Sequence, residues 1–192
     1  MFSLSHLRAL CEERKIPLIS QATENFLWEI LQKYKPKICL EIGGAVGYSA
    51  IFTAGLVHQR WGQVYSFEVA HQAYLEWLMH IRESGLENIT SYPFDIRQIY
   101  APDKAWPINK LLPKKADFVF IDGQKSQYAE YMEIIETLIS DTTILVLDDV
   151  IKYHNKLDTL YRFLEKKQIN YEIKQLEPDD GVMVIIPKGI MN

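Results

Sequence analysis

Cysteine is scarce in this chain of 192 residues: there are two, Cys11 and Cys39, far apart and in no metal-type spacing. Cys39 lies inside an apolar strand pattern, and both read as reduced packing residues. No apolar run approaches the roughly 18 residues that a membrane-spanning helix needs. The opening MFSLSHLRALCEERK lacks the basic start and apolar stretch of a secretory leader. The expectation is a cytoplasmic protein with no membrane partner. Excess positive charge is missing too: 21 Lys and Arg face 25 Asp and Glu, a net charge of −4, which gives no general attraction toward nucleic acid or anionic membrane. Internal repeats, low-complexity segments and a G-x-G-x-x-G dinucleotide fingerprint are all absent. What is present is a 48% hydrophobic composition, enough for one domain, 1–192, with a substantial core.

Short apolar runs recur along that core. KICLEIG at 37–43, QVYSFEV at 63–69, ITSY at 89–92, DFVFID at 117–122 and TTILVLDD at 142–149 read as strands. Such near-continuous apolar runs suit a parallel sheet buried on both faces. Between them, YSAIFTAGLVHQR, HQAYLEWLMHIRESGL and SQYAEYMEIIETLI carry apolar residues three and four apart, as helices packed on that sheet do. The alternation predicts a doubly wound, Rossmann-like α/β fold of about seven strands, mostly parallel. After one more helix, KLDTLYRFLEKKQ, the runs YEIKQL and GVMVIIP flank EPDD, and this pattern predicts an antiparallel C-terminal hairpin. Residues 1–36 form an N-terminal helical segment, with Pro17 expected to interrupt its first helix. APDKAWPINKLLPKK at 101–115 reads as an irregular loop or short helix.

In an open α/β sheet ligands bind beyond the carboxyl ends of the strands, so the residues that end strands matter most. EIGGAVGYSA places Gly43, Gly44 and Gly47 in a tight turn entering a helix near Tyr48. Glycines admit a ligand close to the backbone, and a helix start offers free N–H groups; a plain strand-to-helix turn would look the same. Glu68 ends the second strand, 21 residues after Gly47, where nucleoside-binding folds accept ribose hydroxyls. Asp95 ends the next strand segment at the same edge, either as a contact for an adenine amino group or as a turn residue. Asp122 and the pair Asp148 and Asp149 finish two further strands. Carboxylates gathered there repel unless a cation lies between them, and a hard ion such as Mg²⁺ would compensate them; the alternative is aspartates that cap helices or meet solvent. Within FVFIDGQKSQY, Lys125 stands three residues past Asp122, within reach of a substrate held by such a metal.

Taken together, LEIGGAVGYSA, FEVA, FDIR, FVFIDGQKSQY and LVLDDV, in order over roughly residues 38–150, resemble the class I S-adenosylmethionine-dependent methyltransferases. Within them the chain resembles the metal-dependent catechol and caffeoyl-CoA O-methyltransferase-like family. IPLISQATENFLWEIL is similar to the segment before the first strand in bacterial members, among them relatives that methylate 5-hydroxyuridine at the tRNA wobble position. The resemblance implies that Gly43, Ala45, Gly47, Tyr48 and Ser49 surround the methionine part of S-adenosylmethionine, that Glu68 takes the ribose and that Asp95 lies near the adenine. It implies metal ligands at Asp122, Asp148 and Asp149, with Asp122 counted in the cofactor set as well, and a general base at Lys125, kept neutral by the dication and partial burial. Three departures stand out. Asp149 replaces the family's usual asparagine, Gly44 replaces a common threonine, and the stretch after Asp149 lacks an insertion that in most members helps cover substrate and form dimers. A homodimer is nonetheless the family expectation.

The implied chemistry is transfer of a sulfonium methyl to a hydroxyl beside a second oxygen. The acceptor is either a catechol-like small molecule, which the acidic charge favours, or 5-hydroxyuridine in tRNA, which the N-terminal resemblance favours. A non-catalytic nucleotide-binding module is a rival of another class. A nicotinamide-dependent oxidoreductase is disfavoured by the missing fingerprint.

Overall fold

The computed structural model of the protein describes residues 2–100, 111–112 and 114–186; the 101–115 segment therefore lies largely outside the described residues. The chain runs α1 Leu4–Glu13, α2 Gln21–Tyr34, β1 Ile38–Ile42, α3 Tyr48–His58, β2 Gln63–Phe67, α4 His71–Ser84 and β3 Ile89–Tyr92. It continues with β4 Ala116–Ile121, α5 Tyr128–Ile135, β5 Ile139–Leu147, α6 Asp158–Lys167, β6 Glu172–Glu177 and β7 Asp180–Ile185.

The strands build one seven-stranded sheet in the order β3-β2-β1-β4-β5-β7-β6. Pairings among β1 to β5 are parallel, whereas β7 runs antiparallel to both β5 and β6. Strand order reverses between β1 and β4, and that is where the site lies. The apolar runs are continuous because successive residues face two different cores. Cys39, Val64, Phe118, Phe120 and Val146 pack under α1 to α4, while Leu40, Phe67, Val119, Ile121 and Leu147 pack under α5 and α6. Helix α3 is buried over nearly its whole surface, which explains why its sequence is apolar all round. Both cysteines are free and buried.

Three boundaries differ from expectation. Helix α1 stops before Pro17: Lys15 takes a left-handed φ of 55°, and the amides of Lys15 and Ile16 close back on the carbonyls of Glu12 and Cys11. This C-terminal cap ends the helix without the proline. The segment after Lys125 begins as a 3-10 turn, Lys125–Gln127, before α5. In the hairpin, Glu177 and Asp180 pair with each other, so Asp180 belongs to a strand and only Pro178 and Asp179 turn.

Candidate active site

Beyond the carboxyl ends of β1, β2, β4 and β5 lies a cleft of about 710 Å³. Its near half is built on the glycine turn. The amides of Gly43 and Gly44 both donate to the carbonyl of Phe67, at 2.9 and 3.1 Å, and this pins the turn across the top of β2. Gly43 has φ +98°, and a Cβ there would stand 2.5 Å from the carbonyl oxygen of Asp122, so only glycine lets β1 and β4 end side by side. Ala45, at φ 44°, donates its amide to Glu68 Oε2 at 2.7 Å, and Ala70 donates to Glu68 Oε1 at 2.5 Å. Two backbone amides thus fix the Glu68 carboxylate, whose remaining lone pairs are free for hydroxyl donors. Beside it, Phe67 and Phe94 meet edge to face at 5.4 Å and line the cleft, a wall suited to a flat apolar ring.

Asp95 also lines the cleft, but its carboxylate is taken up by Arg97, through Nη2 at 2.6 Å and Nε at 2.9 Å, and Arg97 reaches on to Glu130 at 2.7 Å. Gly47, Tyr48 and Ser49 are not among the lining residues. Gly47, with φ +88°, gives way to the Trp77 ring, which a Cβ would meet at 1.8 Å. The Tyr48 hydroxyl donates to Glu24 and accepts from Arg8 Nε at 3.1 Å, which ties α3 to α1 and α2. Burial, then the Glu24 carboxylate, pushes its phenol up to about 12. Ser49 turns beneath the turn onto Glu41, a carboxyl buried in β1 that Ser66 also serves. Burial pushes Glu41 up to about 7, against those two hydroxyl donors. Glu41 escaped sequence reasoning because a single acid in an apolar strand reveals nothing until the sheet register sets it opposite Ser66.

The far half is a knot of charge. Lys125 Nζ donates to Asp122 Oδ1 at 2.6 Å and lies 2.8 Å from Asp149 Oδ2 and 3.0 Å from the Tyr128 hydroxyl. That hydroxyl in turn donates to the backbone carbonyls of Ile121 and Asp148, a brace across the ends of β4 and β5. Burial alone would lower the proton affinity of Lys125, but Asp122, Tyr128 and Asp149 outweigh it and raise it. In this arrangement, with Asp122 and Asp149 both turned onto it, Lys125 is held as an ammonium. Asp148 is buried and accepts from Thr23 Oγ1 at 3.3 Å; burial, followed by Asp122 and Asp149, pushes it up to about 8.

Asp149 adopts a left-handed φ of 59°, a conformation that Asp and Asn tolerate better than most residues. Burial acts against its ionisation, but a hydrogen bond with Asp180 and the Lys125 ammonium hold it below the usual carboxylate range. Asp180, pushed up to about 6 by burial and then by that bond, is a site residue the sequence did not reveal. It reaches the cleft because β7 runs antiparallel to β5: the start of β7 meets the end of β5, where Val150 donates to the Gly181 carbonyl at 3.0 Å.

Four carboxyl groups, Asp122, Asp148, Asp149 and Asp180, thus gather beside one ammonium, which pairs with Asp122 and Asp149. Their hard oxygens fit a hard divalent cation in chemistry. Their present arrangement, with Lys125 between Asp122 and Asp149, is not a ready cage: among the described residues no three His, Cys, Asp or Glu side chains stand in metal-holding positions. Among the described residues, too, no helix is long and apolar enough to cross a membrane.

The sequence profile of the O-methyltransferase family matches residues 2–190. A caffeoyl-CoA O-methyltransferase of Populus kitakamiensis is 29% identical over 133 residues, 67% of this chain and 53% of that protein; one of Stellaria longipes is 26% identical over 127 residues, 64% and 49%. The chain spans about half the length of these curated relatives. Among solved structures, the O-methyltransferase from Bacillus cereus in complex with SAH superposes with a TM-score of 0.76 at 20% identity, covering 95% of this chain and 90% of that one. TomG from Streptomyces achromogenes, in complex with SAM, gives 0.75 at 17% identity, covering 96% and 89%. These likenesses carry the fold, and the profile match over almost the whole sequence carries the family: the chain belongs to the O-methyltransferase family.

Proposed function

We propose that the protein transfers the methyl group of S-adenosylmethionine to a hydroxyl that stands beside a second oxygen, with a divalent cation held by Asp122, Asp148 and Asp149. One observation carries the reading. The switch point of the sheet joins, in one cleft, a nucleoside-type half (Gly43, Ala45, Glu68, Phe67 and Phe94) and a charged half (Asp122, Lys125, Asp148 and Asp149). The cofactor named with the Bacillus and Streptomyces structures, and the caffeoyl-CoA activity named for the plant relatives, support the same reading.

In the reaction the acceptor oxygen forms a bond to the methyl carbon as the carbon–sulfur bond breaks, leaving S-adenosylhomocysteine and one proton to be removed. The protein's main contribution is alignment. Glu68, fixed by the Ala45 amide, and the close-approaching glycine turn hold the nucleoside end, the Phe67 and Phe94 wall meets the base, and Thr23 and Tyr128 fix the strand ends that carry the acids. The cation, when bound, supplies Lewis-acid polarisation of the acceptor hydroxyl. Lys125 becomes a proton acceptor only when Asp122 and Asp149 are engaged elsewhere, because burial then governs and lowers its proton affinity. Two acceptor types carry the required oxygens, a catechol-like small molecule and 5-hydroxyuridine in tRNA.

The test is transfer of labelled methyl from S-adenosylmethionine to a catechol panel and to hypomodified tRNA, with and without chelator. Label in either acceptor pool, abolished by chelator, is the expected result. No label in any pool while S-adenosylhomocysteine still binds would refute the catalytic reading, and label that survives chelator would refute the metal.

A further inference from the structure

The glycine turn that builds the near half of the cleft is also held from behind. Helix α4 passes there, and Tyr74, Trp77 and His80, three residues apart, lie on one face of it. Trp77 is fully buried beneath the turn, where a Cβ on Gly44 would stand 2.9 Å from its ring. Tyr74 meets that ring edge to face at 5.8 Å, and its hydroxyl donates to the Ser91 carbonyl at 3.3 Å, which ties this face of α4 to β3.

One polar contact joins the same face to the turn. His80 Nδ1 lies 2.8 Å from the carbonyl oxygen of Val46, and both residues are buried. A carbonyl only accepts, so Nδ1 carries the proton and donates it. Among the described residues no backbone amide serves that carbonyl: Ile51 donates to Gly47 at the start of α3, and Gly47 donates to Gly44 inside the turn. Without His80 a buried carbonyl is left with no partner. Neither Val46 nor His80 lines the cleft.

The contact bears on the residue before Val46. Ala45 holds φ 44°, a left-handed conformation that a Cβ disfavours and that persists only where the surroundings impose it. On the cleft side the Ala45 amide is bound to Glu68 Oε2, and on the far side the next carbonyl is bound to His80. These two anchors bracket the strained residue, so release of one lets the other shift. We infer that His80 is a positioning residue for the cofactor: by holding the Val46 carbonyl it keeps Ala45 left-handed, and so keeps the Ala45 amide on Glu68, the carboxylate read as the ribose acceptor. This rests on the methyltransferase reading and deepens it, because a side chain outside the cleft then sets how tightly the cofactor is held.

The experiment compares the full-length wild type with His80→Asn, His80→Gln and His80→Leu. S-adenosylhomocysteine affinity is read by calorimetry and melting temperature by circular dichroism, at one pH and salt, with binding measured well below each melting temperature. Asparagine carries its amide nitrogen on Cγ, as histidine carries Nδ1, and can go on donating to Val46. Glutamine carries its nitrogen one bond farther out, and leucine has none. The expected dissociation constant stays within about 3-fold of the wild type for His80→Asn and rises roughly 10-fold for His80→Gln and His80→Leu, as for one lost hydrogen bond. In an Ala45→Gly background, where the left-handed backbone meets no Cβ, His80→Leu should cost less than about 3-fold. Where His80→Leu does not fold, His80→Gln carries the comparison. A fall in melting temperature with unchanged affinity would leave His80 a structural role alone and overturn the inference. So would an asparagine variant as weak as the leucine one, or an undiminished loss in the Ala45→Gly background. A wild type that binds no S-adenosylhomocysteine would overturn the cofactor reading and the inference with it, whereas equal affinities across proteins that do bind overturn the inference alone.

Discussion

Asp149 offers the sharpest test, because its backbone and its side chain make separable demands. The residue sits at φ 59°, its carboxylate lies 2.8 Å from Lys125 Nζ, and it shares a hydrogen bond with Asp180. Asparagine tolerates the left-handed backbone and keeps an oxygen of the same reach. It gives up one charge against Lys125, a loss of about 1 kcal/mol, and relieves repulsion with Asp148 and Asp122 that is of the same order. Alanine adds a left-handed penalty of about 1 kcal/mol and leaves Lys125 and Asp180 each short of a partner, for a total of roughly 2 to 4 kcal/mol. At roughly 2 to 4 °C per kcal/mol for a chain of this size, Asp149→Asn should melt within about 3 °C of the wild type and Asp149→Ala roughly 5 to 15 °C lower. Circular dichroism melts at fixed pH and salt read this directly. In methyl transfer, Asp149→Asn should keep turnover while needing more divalent cation for half-maximal rate, since one fewer charge binds the ion more weakly. Asp149→Ala should lose turnover. Equal melting temperatures for the two variants would refute the backbone argument, and full activity of Asp149→Ala would refute the ligand role.

Three further outcomes follow from the site. Lys125→Ala should slow transfer by roughly 10²- to 10⁴-fold, the usual share of a positioned proton acceptor. Because it also frees Asp122 and Asp149, it should lower the cation concentration needed for half-saturation; an unimpaired rate would sink the role. Glu68→Ala should weaken S-adenosylhomocysteine binding by about 1.5 to 3 kcal/mol in calorimetry, the range for hydrogen bonds to a charged group; unchanged affinity would detach Glu68 from the cofactor. Glu41→Gln tests the buried acid by its pH dependence. The folded pKa of about 7 lies above the unfolded value, so the folded state holds the proton longer, and stability present at acid pH is lost as pH rises from about 4.5 through 7. Relative to the glutamine variant, the wild type should lose on the order of a few kcal/mol between pH 5 and pH 8, read from paired denaturant titrations. A constant difference across that range would show that Glu41 ionises normally.

The strands, the helices between them and the antiparallel ending were legible in the sequence because each depends on near neighbours. A run such as FVFI is apolar at every position because both faces of β4 are covered, and that demand is written into the run itself. Gly43, Glu68, Asp122, Asp148 and Asp149, all of which line the cleft, could be picked out because ligand sites in this architecture gather at strand ends, and strand ends are local signals; Ala45 came from the family resemblance, and Lys125 from its place three residues past Asp122. Tertiary packing decided what those groups do to one another. The helix start at Tyr48 was readable, but that its hydroxyl leaves the cleft for Glu24 depends on α2 packing beside α3. Asp180 read as a turn residue until β7 paired against β5 and carried it to Asp149. That Lys125 stands between Asp122 and Asp149 was decided only when the ends of β4 and β5 came side by side. Local pattern fixes the elements because a helix or strand is stabilised by residues within a turn or two. The charge state of a side chain is set by burial and by distances of a few ångströms to residues far away in the chain, and only the folded structure sets those distances.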